Sequence, residues 1–491
     1  MPRLAPRFPA SKLLSAIPFA FGCLSGIALA EPATIASADA SAAAKLRDRI
    51  VQGTQAWEIV ASLTSEIGPR LAGSEGDRAA VAWALDQLKA AGFSNVRAQD
   101  VMVPQWIRGE IAVSILEPWP QPLVAVALGG SAGTPEEGIE ADVVQVPDLD
   151  ALRALSRGQV EGRIVFINKR MERGRDGRGY GQAVPGRTQG ANVASQLGAR
   201  AIVIRSIGTD AARFGHTGTV GYRAETPRIP AVALANADAD LLERQMVTGK
   251  PARLSIKLTA RDLPQVRSAN VIGELPGTGS PQEIVLLGAH LDSWDLGTGA
   301  LDDGAGVAIV VEAVRQIREA KLAPRRTLRV VLYANEEFGL SGANVYANQP
   351  PEELARHVVA MEADLGAGPV WRLDSRVEDA ALPAVQSIAA VLKSLGVERG
   401  GNTANGGADI GPLRLQGVPV LSLQHDATYY FDHHHTINDT LDKVDRKALD
   451  QSVAAYAVAA YLAASAKGDF GRLPPQPATT PATTPPTTPP R

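Results

Sequence analysis

The run Glu283-Ile284-Val285-Leu286-Leu287-Gly288-Ala289-His290-Leu291-Asp292 decides how this chain folds. Four large apolar residues in succession, bounded by polar ones, read as a strand buried on both faces, as in a parallel sheet covered by helices. That strand runs directly into a histidine and an aspartate. Two more runs repeat the pattern: Leu328-Arg329-Val330-Val331-Leu332 leads to Asn335-Glu336-Glu337, and Val358-Val359-Ala360-Met361 leads to Glu362-Ala363-Asp364. A fourth polar cluster, Phe431-Asp432-His433-His434-His435-Thr436, follows a strand expected over 418–423. In an open α/β sheet the carboxyl ends of neighbouring strands face one crevice, so these distant residues can meet.

Working outward, strands and helices alternate from residue 268. Strands are expected over 283–289, 327–334, 357–361 and 418–423, helices over 306–320 and 382–395, and a last amphipathic helix over 446–466. The expected fold class is therefore α/β, with a mixed, largely parallel central sheet and helices on both faces. Residues 45–105 supply the first part of this domain and 265–468 the second. The first part holds a Gly/Pro-rich loop at 67–74, a helix over 77–91 stopped by Gly92, and a weakly alternating strand over 93–103. Between the two parts, residues 106–264 carry short β-like runs at 163–168, 201–205 and 231–234, a helix over 189–197 and few candidate ligands, and read as an inserted lid domain. The basic, glycine-rich stretch 169–181 reads as a mobile, solvated surface loop.

Composition narrows the partners. Lys plus Arg (49) nearly balances Asp plus Glu (52) over 491 residues, which leaves no strong field to attract nucleic acid or an acidic membrane. Arg3, Arg7 and Lys12 precede an apolar stretch to Leu29 that ends in Ala28-Leu29-Ala30, the pattern of an export signal cleaved after Ala30, so residues 1–30 are expected to be removed and the protein to be secreted or periplasmic. The one cysteine, Cys23, falls inside that segment, so no disulfide is expected and stability must come from the core and from metal. The small-residue segment 31–44 reads as a flexible leader, and the end of the chain, 469–491, as a disordered tail with Pro/Thr repeats from Leu473.

The clusters carry chemistry as a set. Imidazoles and carboxylates converging at strand ends are a zinc ligand set, and so many carboxylates would repel one another without a cation. One metal would leave carboxylates over. Two metals sharing one carboxylate would use them, with the shared ligand expected from the turn Ala300-Leu301-Asp302-Asp303-Gly304-Ala305-Gly306, where Asp303 is read as the helix cap. Adjacent Glu336 and Glu337 divide the work: one ligates and the other takes a proton from water. Asp292, two residues past His290 on an extended strand, is placed to orient that imidazole.

These motifs, with Ile67-Gly68-Pro69-Arg70-Leu71-Ala72-Gly73-Ser74 and His435-Thr436-Ile437-Asn438-Asp439-Thr440, resemble in kind and order those of the di-zinc exopeptidase family of bacterial leucyl aminopeptidase and glutamate carboxypeptidase. The run Leu291-Asp292-Ser293-Trp294-Asp295 is most similar to the carboxypeptidase Q branch. The resemblance spans nearly the whole mature chain, and residues 106–264 look like a protease-associated domain. It implies two Zn²⁺ per chain: His290 and Asp364 on one, Glu337 and His435 on the other, and Asp302 bridging. Glu336 would be the general base acting on a metal-bridging water, and Asp292 the orienting residue. His435 is chosen from the three consecutive histidines by the His-Thr-x-x-Asp-Thr pattern, while His216, His357 and His425 are read as structural. The implied activity is hydrolysis of dipeptides or short peptides with free termini, from the amino or the carboxyl end, by a possible homodimer with no nucleic-acid or membrane partner after cleavage. A one-zinc glutaminyl cyclase and a non-catalytic receptor ectodomain on the same fold are the alternatives, and the full ligand set argues against both.

Overall fold

The computed structural model describes Met1 and residues 31–475, so the expected export signal, with Cys23, and the Pro/Thr repeats past residue 475 lie outside the described residues. The long apolar runs pair as expected of buried parallel strands. Ser280–His290 lies at the centre of an eight-stranded sheet, parallel to Arg326–Tyr333 on one side and to His357–Glu362 on the other, with Val420–His425 parallel beyond the latter. Antiparallel partners close the flanks: Arg261–Leu275 and then Ser94–Ile107 on one side, Val370–Arg376 on the other, the last carrying the short edge strand Glu398–Arg399. The fold is mixed α/β.

The helix Ala305–Glu319 returns the chain from strand Ser280–His290 to the parallel strand Arg326–Tyr333. It is buried around most of its circumference because the alanine-rich helix Arg446–Ser465 packs over it, burying all but a few of its own residues. Among the described residues no helix is long and apolar enough to cross a membrane.

Two expectations about the ends of the domain are overturned. Residues 31–44 are not a flexible leader. Ser37–Ile50 is a helix with Ala43, Leu46 and Ile50 buried, and Ala33 and Thr34 donate their N–H groups to the carbonyls of Asp469 and Lys467. Small side chains that read as featureless are here good helix formers that allow close approach to the equally alanine-rich last helix. Nor does the tail start at 469: Phe470 is fully buried, its carbonyl accepts from Glu378 N–H, and Leu473 N–H donates to Gly417. The two ends of the described chain are thus stitched together.

Residues 111–258 build a second eight-stranded sheet with its own core, in which Ile164–Ile167, Ala201–Arg205 and Ala231–Leu234 run parallel. The helix expected over 189–197 is twice as long, Arg178–Gln196, with Pro185 inside it. The basic stretch before it is not free. Arg173 pairs with Asp432 and Arg175 with Asp426, both on the loop that leads to the histidine run.

His357 shows how the core treats a titratable group. Its Nδ1 donates to the Glu353 carbonyl at 3.1 Å and its Nε2 accepts from the Tyr346 hydroxyl at 2.8 Å, so the ring is held neutral. Burial, reinforced by the Arg329 charge, pulls its pKa down to about 3. The unfolded value is about 6.5. A depressed folded pKa means a contribution fully present above the unfolded value and lost as pH falls towards the folded one. Thermal unfolding of the chelator-treated protein should therefore fall in midpoint between about pH 6 and pH 4. The His357→Gln variant should show a shallower fall, by up to one proton's worth, about 1.4 kcal/mol per pH unit. An acid slope identical in the two proteins would refute this assignment.

Candidate metal centre

Parallel register sets the ends of the central strands level: His290 lies opposite Tyr333, and Gly288 opposite Glu362. Past Tyr333 the chain turns at Asn335, which takes a left-handed φ of 60° and is pinned by its side-chain amide on Ser341. The next two residues are Glu336 and Glu337. Asp302 stands on the turn Ala300–Gly304 that enters the helix Ala305–Glu319. Glycine is needed at 306, where a Cβ would lie 2.0 Å from the Ala363 carbonyl oxygen, so the helix start and the end of strand His357–Glu362 can touch.

All five expected ligands come together. His290 Nε2 is 3.0 Å from Asp302 Oδ1 and 3.6 Å from Asp364 Oδ1. His435 Nε2 is 3.2 Å from Asp302 Oδ2 and 2.9 Å from Glu337 Oε2. Asp302 therefore presents one oxygen to each half of the site. Ligand atoms around a tetrahedral zinc lie roughly 3.3 Å apart, given bonds of about 2.0–2.1 Å. The donor set fits that ion in type and spacing, and Asp302 Oδ2 and Glu337 Oε1 are buried with no hydrogen-bond partner.

The electrostatics point the same way. Burial opposes charge on His290 and His435, yet the surrounding carboxylates raise His290 well above the ordinary range and His435 to about 9. Burial, then Asp302, lifts Glu337 to about 7, and burial with Asp364 and Glu337 lifts Glu336 far above a normal carboxyl. Anions are here in excess, which is the environment a divalent cation would stabilise. Glu336 is half-buried and joins none of the short contacts.

Other placements refine the sequence reading. His290 Nδ1 donates to the backbone carbonyl of Asp292 at 3.0 Å, nearer than the Asp292 carboxylate at 3.7 Å. That carboxylate instead accepts the N–H groups of Glu336 and Glu337, at 2.9 and 3.3 Å. Asp303 caps the helix through Gly306 N–H at 3.1 Å and also takes the His290 N–H at 3.0 Å. His434 is as buried as His435 and stacked on it, ring centroids 3.5 Å apart, with Nε2 3.5 Å from Asp302 Oδ2. Burial and the His435 charge hold it well below the ordinary histidine range.

Two residues quoted within motifs were given no role. Asp439 accepts Leu301 N–H at 2.6 Å and Asp302 N–H at 3.2 Å, fixing the backbone at Asp302. Arg70, wholly buried, donates to the carbonyls of Leu291, Thr298 and Gly299. Their positions within Gly-Pro-Arg-Leu and His-Thr-x-x-Asp-Thr were the available signal.

A family model described as peptidase family M28 matches residues 270–460. Carboxypeptidase Q of Bos taurus is 34% identical over 411 residues, covering 84% of this chain and 85% of that protein. A probable lipoprotein aminopeptidase, LpqL, of Mycobacterium tuberculosis is 27% identical over 90% of this chain and 91% of its own. The solved peptidase M28 precursor of Shewanella amazonensis is 46% identical with a TM-score of 0.87, over 89% of this chain and 99% of that one. A zinc aminopeptidase of Bacillus subtilis, 20% identical with a TM-score of 0.59 over 84% of this chain and 97% of its own, shares the fold.

Removing the Asp439 carboxylate leaves two buried N–H groups unpaired at Leu301 and Asp302. Asp439→Ala should lose stability on the order of 1–3 kcal/mol and bind zinc more weakly. Denaturant unfolding with and without zinc, and metal content after dialysis, measure both. Wild-type zinc retention in a folded Asp439→Ala would count against this role.

Proposed function

We propose, from the premise that this chain belongs to peptidase family M28 and is a zinc-dependent metallo-exopeptidase, that it works with two zinc ions per chain on dipeptides or short peptides with free termini. His290 and Asp364 would hold one ion, Glu337 and His435 the other, and Asp302 would serve both. The observation that carries this reading is Asp302 lying between two imidazoles, one carboxylate oxygen towards each.

Bound zinc supplies a Lewis acid for the scissile carbonyl and lowers the pKa of water at the site to about 7. Glu336 is the chain's own base. It accepts a proton from the attacking water as the new carbon–oxygen bond forms, and it delivers that proton to the departing amine as the carbon–nitrogen bond breaks. Asp292 keeps Glu336 in place through the backbone N–H it binds, and its carbonyl orients His290. Residues 106–264 would act as a protease-associated-like lid over this centre, and the basic N-terminal segment would direct export with cleavage after Ala30. Homodimer formation is carried only by family likeness.

Activity should vanish on chelation and return with Zn²⁺, with about two ions per chain by elemental analysis. Glu336→Gln should lower kcat by about 10²–10⁴-fold while keeping its metal. A fully metallated Glu336→Gln that turns over near the wild-type rate would eliminate this mechanism.

A further inference from the structure

The two halves of the metal centre are braced by different parts of the chain. His290 receives its outer partner from its own strand end, the Asp292 carbonyl at 3.0 Å. His435 receives its partner from the second sheet's domain. Its Nδ1 donates to the Thr217 carbonyl at 3.3 Å, and the Thr217 N–H donates to the His435 carbonyl at 3.0 Å. Around this reciprocal pair the same loop makes two more contacts. The Thr219 hydroxyl donates to the Glu337 carbonyl, and His216 Nδ1 donates to the His434 carbonyl at 2.8 Å. Each falls on the Glu337–His435 side. Among the described residues, none from 106–264 hydrogen-bonds His290 or Asp364.

We infer that the loop 209–219 is a working part of one half of the centre, positioning Glu337 and His435 for the ion they share; this rests on the two-ion reading above. A carbonyl at Nδ1 fixes the tautomer that leaves the Nε2 lone pair free, and it fixes the ring plane. His435 needs such holding, because its backbone sits at a φ of 62°, a left-handed conformation that a residue with a side chain adopts at a cost. The brace is itself anchored. The Thr217 hydroxyl donates to the Ala127 carbonyl at 2.9 Å and accepts from Arg108 at 3.0 Å. His216 is 1% exposed, with Nε2 2.6 Å from Asp210 Oδ2, so both its ring nitrogens face oxygen partners and it ties the loop to the histidine run through buried hydrogen bonds. Its reading as a merely structural histidine is thereby sharpened: it is a positioning residue for its neighbour's ligand.

The test is stepwise zinc titration of the chelator-treated full chain against a competing dye, for wild type, Thr219→Val, His216→Ala and the conservative Thr219→Ser, with the unfolding midpoint of each metal-free form. Wild type should show two sites. Thr219→Val and His216→Ala should keep one site at wild-type affinity and weaken the other by about 10–100-fold, with Thr219→Ser near wild type. Two unaltered sites in both variants would overturn the inference. So would equal weakening of both sites together with a lowered metal-free midpoint, since that reports general loosening. A single site in the wild type would instead overturn the two-ion reading beneath it.

Discussion

Carboxylates buried side by side are the constraint around which this molecule is arranged. Buried Asp292, Asp302 and Glu337 meet half-buried Asp364 at one edge of the sheet, where low polarity strengthens repulsion. Before any cation is considered, the chain answers with backbone N–H groups. Asp292 takes those of 336 and 337, Asp303 those of 290 and 306, Asp439 those of 301 and 302, and Glu362 those of 408, 409 and 410. Each of these carboxyl groups thereby gathers a loop around itself. The loops around the candidate site are thus held by its carboxyl groups, and the remaining excess of negative charge is what zinc would neutralise.

Arg70 extends this logic. A guanidinium with no exposure is costly to bury, and burial does lower its pKa, against the pull of Asp439 and Asp292. It spends its donors on carbonyls of the segment 291–299, not on a carboxylate. Positive charge is thus held near these carboxylates without pairing with any of them, and the loop joining His290 to Asp302 is fixed by Arg70.

How much of this was legible follows from which atoms do the work. The central strands were readable because each apolar run stops at a polar pair, and parallel pairing then forces those pairs to one edge. His290, Glu337 and Asp364 were legible as candidates at that edge, whereas Asp302 on its glycine-rich turn and His435 in its His-Thr-x-x-Asp-Thr pattern were picked out by the family resemblance. The leader was misread because alanine and serine are as compatible with a tightly packed helix as with a flexible segment, and only the alanine-rich last helix distinguishes the two. Thr217 was invisible because it acts through its carbonyl, which every residue has. Arg173 and Arg175 read as solvated for want of visible partners, and Asp426 and Asp432 come from some 250 positions away in the chain.

The inserted domain is wedged against the centre more than it is hung over it. Trp294, two residues past Asp292, buries its ring in that domain's core, and Gly129 has no side chain there because a Cβ would lie 2.0 Å from the indole. Arg108 grips Asp295, and Arg173 and Arg175 grip the loop before the histidines. On this side the cavity beside Asp302, Glu337 and His435 is about 10 Å³, room for roughly one water and not for a peptide. Glu336 and Asp364, by contrast, keep partial exposure. The proposed base therefore lies on the more exposed side of the centre, beside Asp364.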